Sequence, residues 1–125
     1  MTATRPLRVL IVEDNPDGRE MLRLLLEMAG HRVEVAGDGL EGLKVALRDH
    51  PDVAVIDIDL PRLDGYALAQ RLRAALGPDI FLITYTSYGQ PEDRRRAFAA
   101  GFNVHLTKPA DPHELYQCLE RVPGR

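Results

Sequence analysis

Short apolar runs alternate with stretches of helical period along the whole chain. Arg8 to Val12, RVLIV, reads as a buried strand. After it, Asn15 can cap a helix whose first position is Pro16. Met21, Leu22, Leu25, Met28 and Ala29 then recur at three-to-four spacing, and Gly30 ends the helix. Val33 to Ala36 is a weaker second strand, followed by a helical stripe at Leu40, Leu43, Ala46 and Leu47. Val53 to Ile56 is unbroken apolar sequence, the mark of a parallel strand covered on both faces. A third helix spans Gly65 to Leu76, and Gly77-Pro78 stops it. Ile80 to Tyr85 gives a fourth strand, Pro91 opens a fourth helix that Gly101 closes, and Val104 to Leu106 gives a fifth strand. Asp111 and Glu114 form a capping box for a last helix carrying Leu115, Cys118, Leu119 and Val122.

Five strand–helix units in strict alternation predict an α/β fold, a parallel sheet with helices on both faces and right-handed crossovers. In such sheets ligands bind beyond the carboxyl ends of the strands. Those positions hold Glu13 and Asp14 after the first strand, Asp57 and Asp59 after the third, Thr84, Thr86 and Ser87 around the end of the fourth, and Lys108 after the fifth. Strand-to-helix loops often end in an acid that caps the helix, and Asp64 and Asp111 are assigned that duty. Asp64 already caps the third helix, so Asp57 is left without a cap to make. If the first and third strands are neighbours, at least three carboxylates crowd one rim. They repel one another unless a cation joins them. Mg²⁺ suits such a rim, because it prefers oxygen ligands and is held by one or two carboxylates together with a phosphate. A carboxylate able to attack, a metal, the Thr86 hydroxyl and the Lys108 ammonium together are equipment for handling a phosphoryl group.

Composition narrows the setting. The 125 residues fit one domain, residues 1–125, and at this size about two thirds of the unfolded surface can be buried. A net charge of −3 argues against nucleic acid as a direct partner. The basic run Arg94–Arg96 is read as a solvated helix face. Cys118 is the single cysteine, which excludes an internal disulfide, and the histidines at 31, 50, 105 and 113 have no metal-ligand spacing. The start MTATRPLRVLIV lacks the long apolar core of a secretion signal, and no segment approaches the ~20 apolar residues of a membrane span, so the expected location is the cytoplasm.

Four features in this order and spacing are similar to the receiver domain of two-component response regulators: Glu13 and Asp14 in VEDN, Asp57 in DIDLPRLDG, Thr86 after the fourth strand, and Lys108 in LTKP. The similarity runs from Leu7 to Val122. It implies a flavodoxin-like sheet of order 2-1-3-4-5 and a phosphoacceptor, Asp57, supplied by the phosphohistidine of a sensor histidine kinase or a histidine phosphotransfer protein. It further implies Mg²⁺ held directly by Asp14 and Asp57, by Glu13 through water, and by the backbone carbonyl of Asp59. Lys108 would contact the phosphoryl oxygens, Thr86 would move toward them, and the Lys108–Pro109 bond would be cis. The surface read by a downstream protein target would be the fourth helix, fifth strand and fifth helix, with no membrane contact.

Three positions depart from the family's commoner pattern. His105 stands where the switch aromatic is often Tyr or Phe. It is either a half-solvated edge-strand residue or an imidazole that swings inward with Thr86, which would make switching pH-dependent. Asp59 and Tyr88 occupy positions that tune loss of the phosphoryl group, and Tyr88 is bulky enough to shield the acyl phosphate. A haloacid-dehalogenase-like phosphatase with Asp57 as nucleophile is the main rival, but there the acidic pair follows the nucleophile, whereas here it precedes it. A degenerate, binding-only receiver would lack an acid or the lysine. An EF-hand is excluded because Pro61 and Arg62 fall where a ligand and a glycine are required. The expected role is a signalling switch, not an enzyme with turnover, working alone or as one part of a larger regulator or hybrid kinase. Whether the reading frame continues past Arg125 separates these two.

Overall fold

The computed structural model describes residues 5–123. Residues 1–4 and 124–125, on which the readings of the chain's start and stop fall, lie outside the described residues. Five strands alternate with five helices: β1 (Arg8–Val12), α1 (Pro16–Met28), β2 (Arg32–Ala36), α2 (Gly39–Asp49), β3 (Val53–Ile56), α3 (Gly65–Leu76), β4 (Phe81–Thr86), α4 (Pro91–Ala100), β5 (Val104–Thr107) and α5 (Pro112–Glu120). All four strand pairings are parallel and the order is β2-β1-β3-β4-β5. This is the expected doubly wound sheet, with the order reversing between β1 and β3.

Period-two alternation divides the core into two layers. Leu10 and Val12 of β1, Ala54 and Ile56 of β3 and Leu82 of β4 pack with Val45, Leu68 and Leu72 from α2 and α3. Their neighbours Val9, Ile11, Val53, Val55, Phe81 and Ile83 pack on the other side with Leu22, Leu26, Leu115 and Leu119 from α1 and α5. Every residue of β3 is buried, because the strand has a layer of helices on each face. β2 is an edge strand with only Ala36 buried, which is why its pattern is the weakest.

Two helices are rotated from the faces that hydrophobicity alone suggests. In α1 the buried pair is Leu22 and Leu26, while Met21 and Met28 are exposed. Arg23 pairs with Glu20 and Glu27 along a side of the helix away from the buried pair. In α2 the buried face is Gly39, Gly42, Val45 and Ala46, whereas Leu40 and Leu47 are exposed. A Cβ on Gly42 would lie 2.9 Å from Val12 Cγ2, so the glycine face is what lets α2 approach β1. Small residues leave no mark in a hydrophobic stripe, and the leucines are displaced outward.

The predicted caps are in place. Asn15 accepts from Asp17 and Gly18, Asp64 accepts from Ala67, and both halves of the Asp111–Glu114 box are present. Asp57 caps no helix, as expected. Its own N–H continues the β1–β3 ladder to the Val12 carbonyl at 3.0 Å. At the opposite end of the sheet, Arg73 donates to the carbonyls of Gly77, Ile80 and Gly101 and to Asn103 Oδ1, tying the end of α3 to the entries of β4 and β5.

Candidate functional site

The carboxyl ends of β1, β3, β4 and β5 deliver their polar residues to one rim. Lys108 is positioned by its backbone N–H, which donates to the Thr86 carbonyl at 2.8 Å. From there its Nζ donates to Glu13 Oε1 at 2.6 Å and to Asp57 Oδ2 at 3.0 Å. The ammonium also lies 5.4 Å from the centroid of the Tyr85 ring. One cation thus bridges two acids that come from different strands. Carboxylate oxygens of Glu13, Asp14 and Asp57 all lie within 4.8 Å of one another. Glu13 is 3% exposed, Asp57 is 9% exposed and Asp14 faces solvent, so the cluster opens outward through Asp14.

Burial raises the Glu13 carboxyl above its usual range; the Lys108 hydrogen bond pulls the other way, and the nearby Asp57 adds to the rise. Burial also works against the Lys108 ammonium, but the hydrogen bonds to Glu13 and Asp57 outweigh it and its pKa is raised. The loop is braced by Asn15 N–H donating to Glu13 Oε2 and by Arg19 Nη1 donating to the Glu13 carbonyl at 2.9 Å. Three hard carboxylates so close, one of them facing water, are a donor set that suits Mg²⁺ and leaves room for its waters.

Thr86 is the last residue of β4, one position further into the sheet than expected, and is buried. Its Oγ1 accepts from the Tyr88 N–H at 3.3 Å. Asp59 is exposed, and its N–H reaches Asp57 Oδ1 at 3.4 Å. Tyr88 is exposed at the mouth of the β4–α4 loop. His105 is 6% exposed, so the half-solvated alternative does not hold. It lies under that loop, with Nε2 at 2.9 Å from the Tyr88 carbonyl. The Lys108–Pro109 bond is cis, as the family resemblance implies. Arg94–Arg96 are exposed, as a solvated face should be, yet Arg94 Nη1 also comes to 3.4 Å from His105 Nδ1 and Arg96 covers the Tyr66 ring at 4.1 Å. Tyr85, Arg19 and Arg94 were not legible as site neighbours. The first counts as one more strand residue, and the other two as ordinary surface charge.

An open parallel sheet of order 2-1-3-4-5, with an acidic pocket at its switch point, defines a flavodoxin-like α/β protein. The chain belongs to the response regulator receiver domain family, whose model it matches over residues 9–120. It is 38% identical to an uncharacterised 14.6 kDa protein of Leptolyngbya boryana over 97% of this chain and 93% of that one. It is also 38% identical to the DNA-binding dual master transcriptional regulator RpaA of Synechocystis, over 86% of this chain but 45% of that regulator, and so spans about half of its length. Among solved structures it resembles the receiver domain of a Pseudomonas aeruginosa sensor histidine kinase that has magnesium coordinated in its active-site cleft, with TM-score 0.86, 33% identity, and 94% and 98% of the two chains covered. Chemotaxis protein CheY4 of Vibrio cholerae gives TM-score 0.87 and 30% identity over 95% and 100%. These likenesses place the chain in two-component signalling and give the phosphatase reading no support. No helix among the described residues is long and apolar enough to cross a membrane.

Proposed function

We propose that Asp57 accepts a phosphoryl group from the phosphohistidine of a sensor histidine kinase or histidine phosphotransfer protein, and that the whole chain acts as one cytoplasmic switch. The observation that carries this is the single Lys108 ammonium shared between Glu13 and Asp57, with Asp14 completing the acidic cluster. In the transfer, an Asp57 oxygen bonds to phosphorus as the phosphorus–nitrogen bond breaks, and the imidazole leaves with its electron pair and takes up a proton. Glu13, Asp14, Asp57 and the Asp59 carbonyl would hold Mg²⁺, which supplies charge neutralisation for the phosphoryl oxygens. Lys108 keeps its bond to Glu13 and turns its second bond from Asp57 to the incoming group. Thr86, freed from Tyr88, donates to that group. The change reaches a protein target over α4, β5 and α5, where Arg94, Arg95 and Phe98 are exposed. Recognition by this chain is of protein, not nucleic acid. The protein labels itself once and has no turnover on free phosphoesters.

The test is incubation with acetyl phosphate, or with beryllofluoride, with and without Mg²⁺. A phosphoryl mass gain and a chemical-shift change that both need Mg²⁺ and vanish in Asp57→Asn are expected. Labelling that survives Asp57→Asn would refute the assignment. Tyr88, exposed two residues beyond Thr86, screens the acyl phosphate from water in this reading, so Tyr88→Ala should lose label several-fold faster in a pulse–chase, and an unchanged half-life removes the shielding role.

A further inference from the structure

The β4–α4 loop is fastened at one residue from two sides. The Tyr88 N–H donates to Thr86 Oγ1 at 3.3 Å, and the Tyr88 carbonyl faces His105 Nε2 at 2.9 Å. A carbonyl only accepts, so Nε2 must carry the proton. The other ring nitrogen, Nδ1, faces Arg94 Nη1 at 3.4 Å. A guanidinium only donates, so Nδ1 must present its lone pair. The two neighbours together demand one form of the ring, neutral with its hydrogen on Nε2.

From this we infer that His105 is a proton-operated latch on the β4–α4 loop, closed by the neutral ring and opened when Nδ1 takes up a proton. A protonated Nδ1 would point a donor at a donor and set a charge on a ring only 6% exposed beside the Arg94 guanidinium. Arg94 of α4 faces the ring and opposes its charge. Asp93 of the same helix favours that charge, but its Oδ2 is engaged with the Gln90 N–H at 3.0 Å. On the sheet side, β4 sets Thr84 against His105 and Thr86 two residues further along the strand, and neither titrates in this range. Thr84 is the register partner of His105, and its hydroxyl is fully buried with no hydrogen-bond partner among the described residues. It offers an acceptor for the new N–H once the ring turns away from Arg94.

The direction of the response follows from the setting of the ring. Burial holds the ring's pKa below its ordinary 6.5, against the favourable Tyr88 carbonyl. A depressed histidine stabilises the closed loop fully above pH 6.5, and that contribution falls away as the pH drops below it. Because Thr86 and His105 hold the same residue, the proton and the phosphoryl group act on one loop. The coupling to phosphorylation rests on the function proposed above, whereas the latch itself does not.

The experiment is a pH titration of the ¹⁵N-labelled, unphosphorylated full chain from about pH 8 to about pH 5, following the His105 ring and the amides of residues 86–90 by NMR. The loop amides should titrate with the ring, the open-to-closed ratio rising about tenfold per pH unit between the closed-state and open-state pKa values. His105→Gln, which can donate to Tyr88 but cannot charge, should keep the loop closed throughout. Arg94→Gln puts a potential acceptor beside Nδ1, so it should raise the ring's pKa and shrink the pH response. Loop amides that do not move in the native protein, that move equally in His105→Gln, or a ring pKa unchanged in Arg94→Gln, would each overturn the latch. Adding beryllofluoride and Mg²⁺ at about pH 8, where the ring is neutral, tests the phosphoacceptor reading separately.

Discussion

Replacing Lys108 with methionine should slow labelling of Asp57 by acetyl phosphate at least about 100-fold, the usual cost of losing one group that stabilises developing negative charge. The same substitution should lower stability at neutral pH. Methionine keeps the packing of the stem, so the loss is that of the cation. Glu13, almost wholly buried, is then left with Asp57 beside it and no ammonium between them. Breaking a fully buried pair costs 3–5 kcal/mol, and with the Lys108 side chain 28% exposed a discounted figure of about 1–3 kcal/mol is expected. The sign with pH can be worked out. Glu13 already has a raised pKa, and without Lys108 its main lowering influence is gone. A carboxyl raised in the folded state is unstrained below its unfolded value of 4.5 and destabilises increasingly as the pH climbs from there through the folded value. The Tm deficit should therefore shrink on acidification. Mg²⁺ should also raise Tm more in the variant than in the native chain, because the ammonium no longer competes for the carboxylates. A deficit equal at low and neutral pH and indifferent to Mg²⁺ would show that the bridge does not hold the acids together.

Much of the fold is written in the alternation of strand and helix, because a parallel strand covered on both faces, such as Val53 to Ile56, must be apolar throughout. The acids at the rim are legible for a related reason. Asp57 follows four buried residues and makes no cap, so its placement has no purely local cause. The faces of α1 and α2 were not legible, since α1 contains more leucine and methionine, and α2 more leucine, than the sheet can cover. In α1 the sheet takes Leu22 and Leu26 out of that surplus, and in α2 the close approach of Gly42 decides the face. The surroundings of His105 were hidden for a different reason. Its ring is defined by a backbone carbonyl 17 residues away and by one arginine of an exposed basic run, and neither has a sequence signature.

The second large effect is expected at Gly65, the first residue of α3. A Cβ there would sit 2.4 Å from the Asp57 carbonyl oxygen and 2.7 Å from Ile58 Cα. Both are backbone atoms in the segment that presents Asp57 to the rim, so neither can yield by changing rotamer. Gly65 is also held in place, because its N–H donates to the Ile58 carbonyl at 2.9 Å while Asp64 caps the helix through Ala67. Gly65→Ala must lift the start of α3 off the β3–α3 loop or push Asp57 toward the other acids of the cluster. Overpacking against backbone should cost about 3 kcal/mol, which for a chain of this length is a Tm fall of roughly 10 °C. Surviving folded protein should bind Mg²⁺ more weakly, since Asp57 no longer meets Glu13 and Asp14 in one cluster. Gly18→Ala is the matched control: the nearest atoms to its Cβ would be those of the Glu13 side chain, at 3.8 Å, an ordinary contact, and the gain in helix preference within α1 should raise stability by about 0.5 kcal/mol. The same chemical change thus has opposite signs at two positions within one site. A Gly65→Ala protein that melts within about 2 °C of the native chain, with unaltered Mg²⁺ affinity, would mean that α3 and the Asp57 loop are not locked together by this contact.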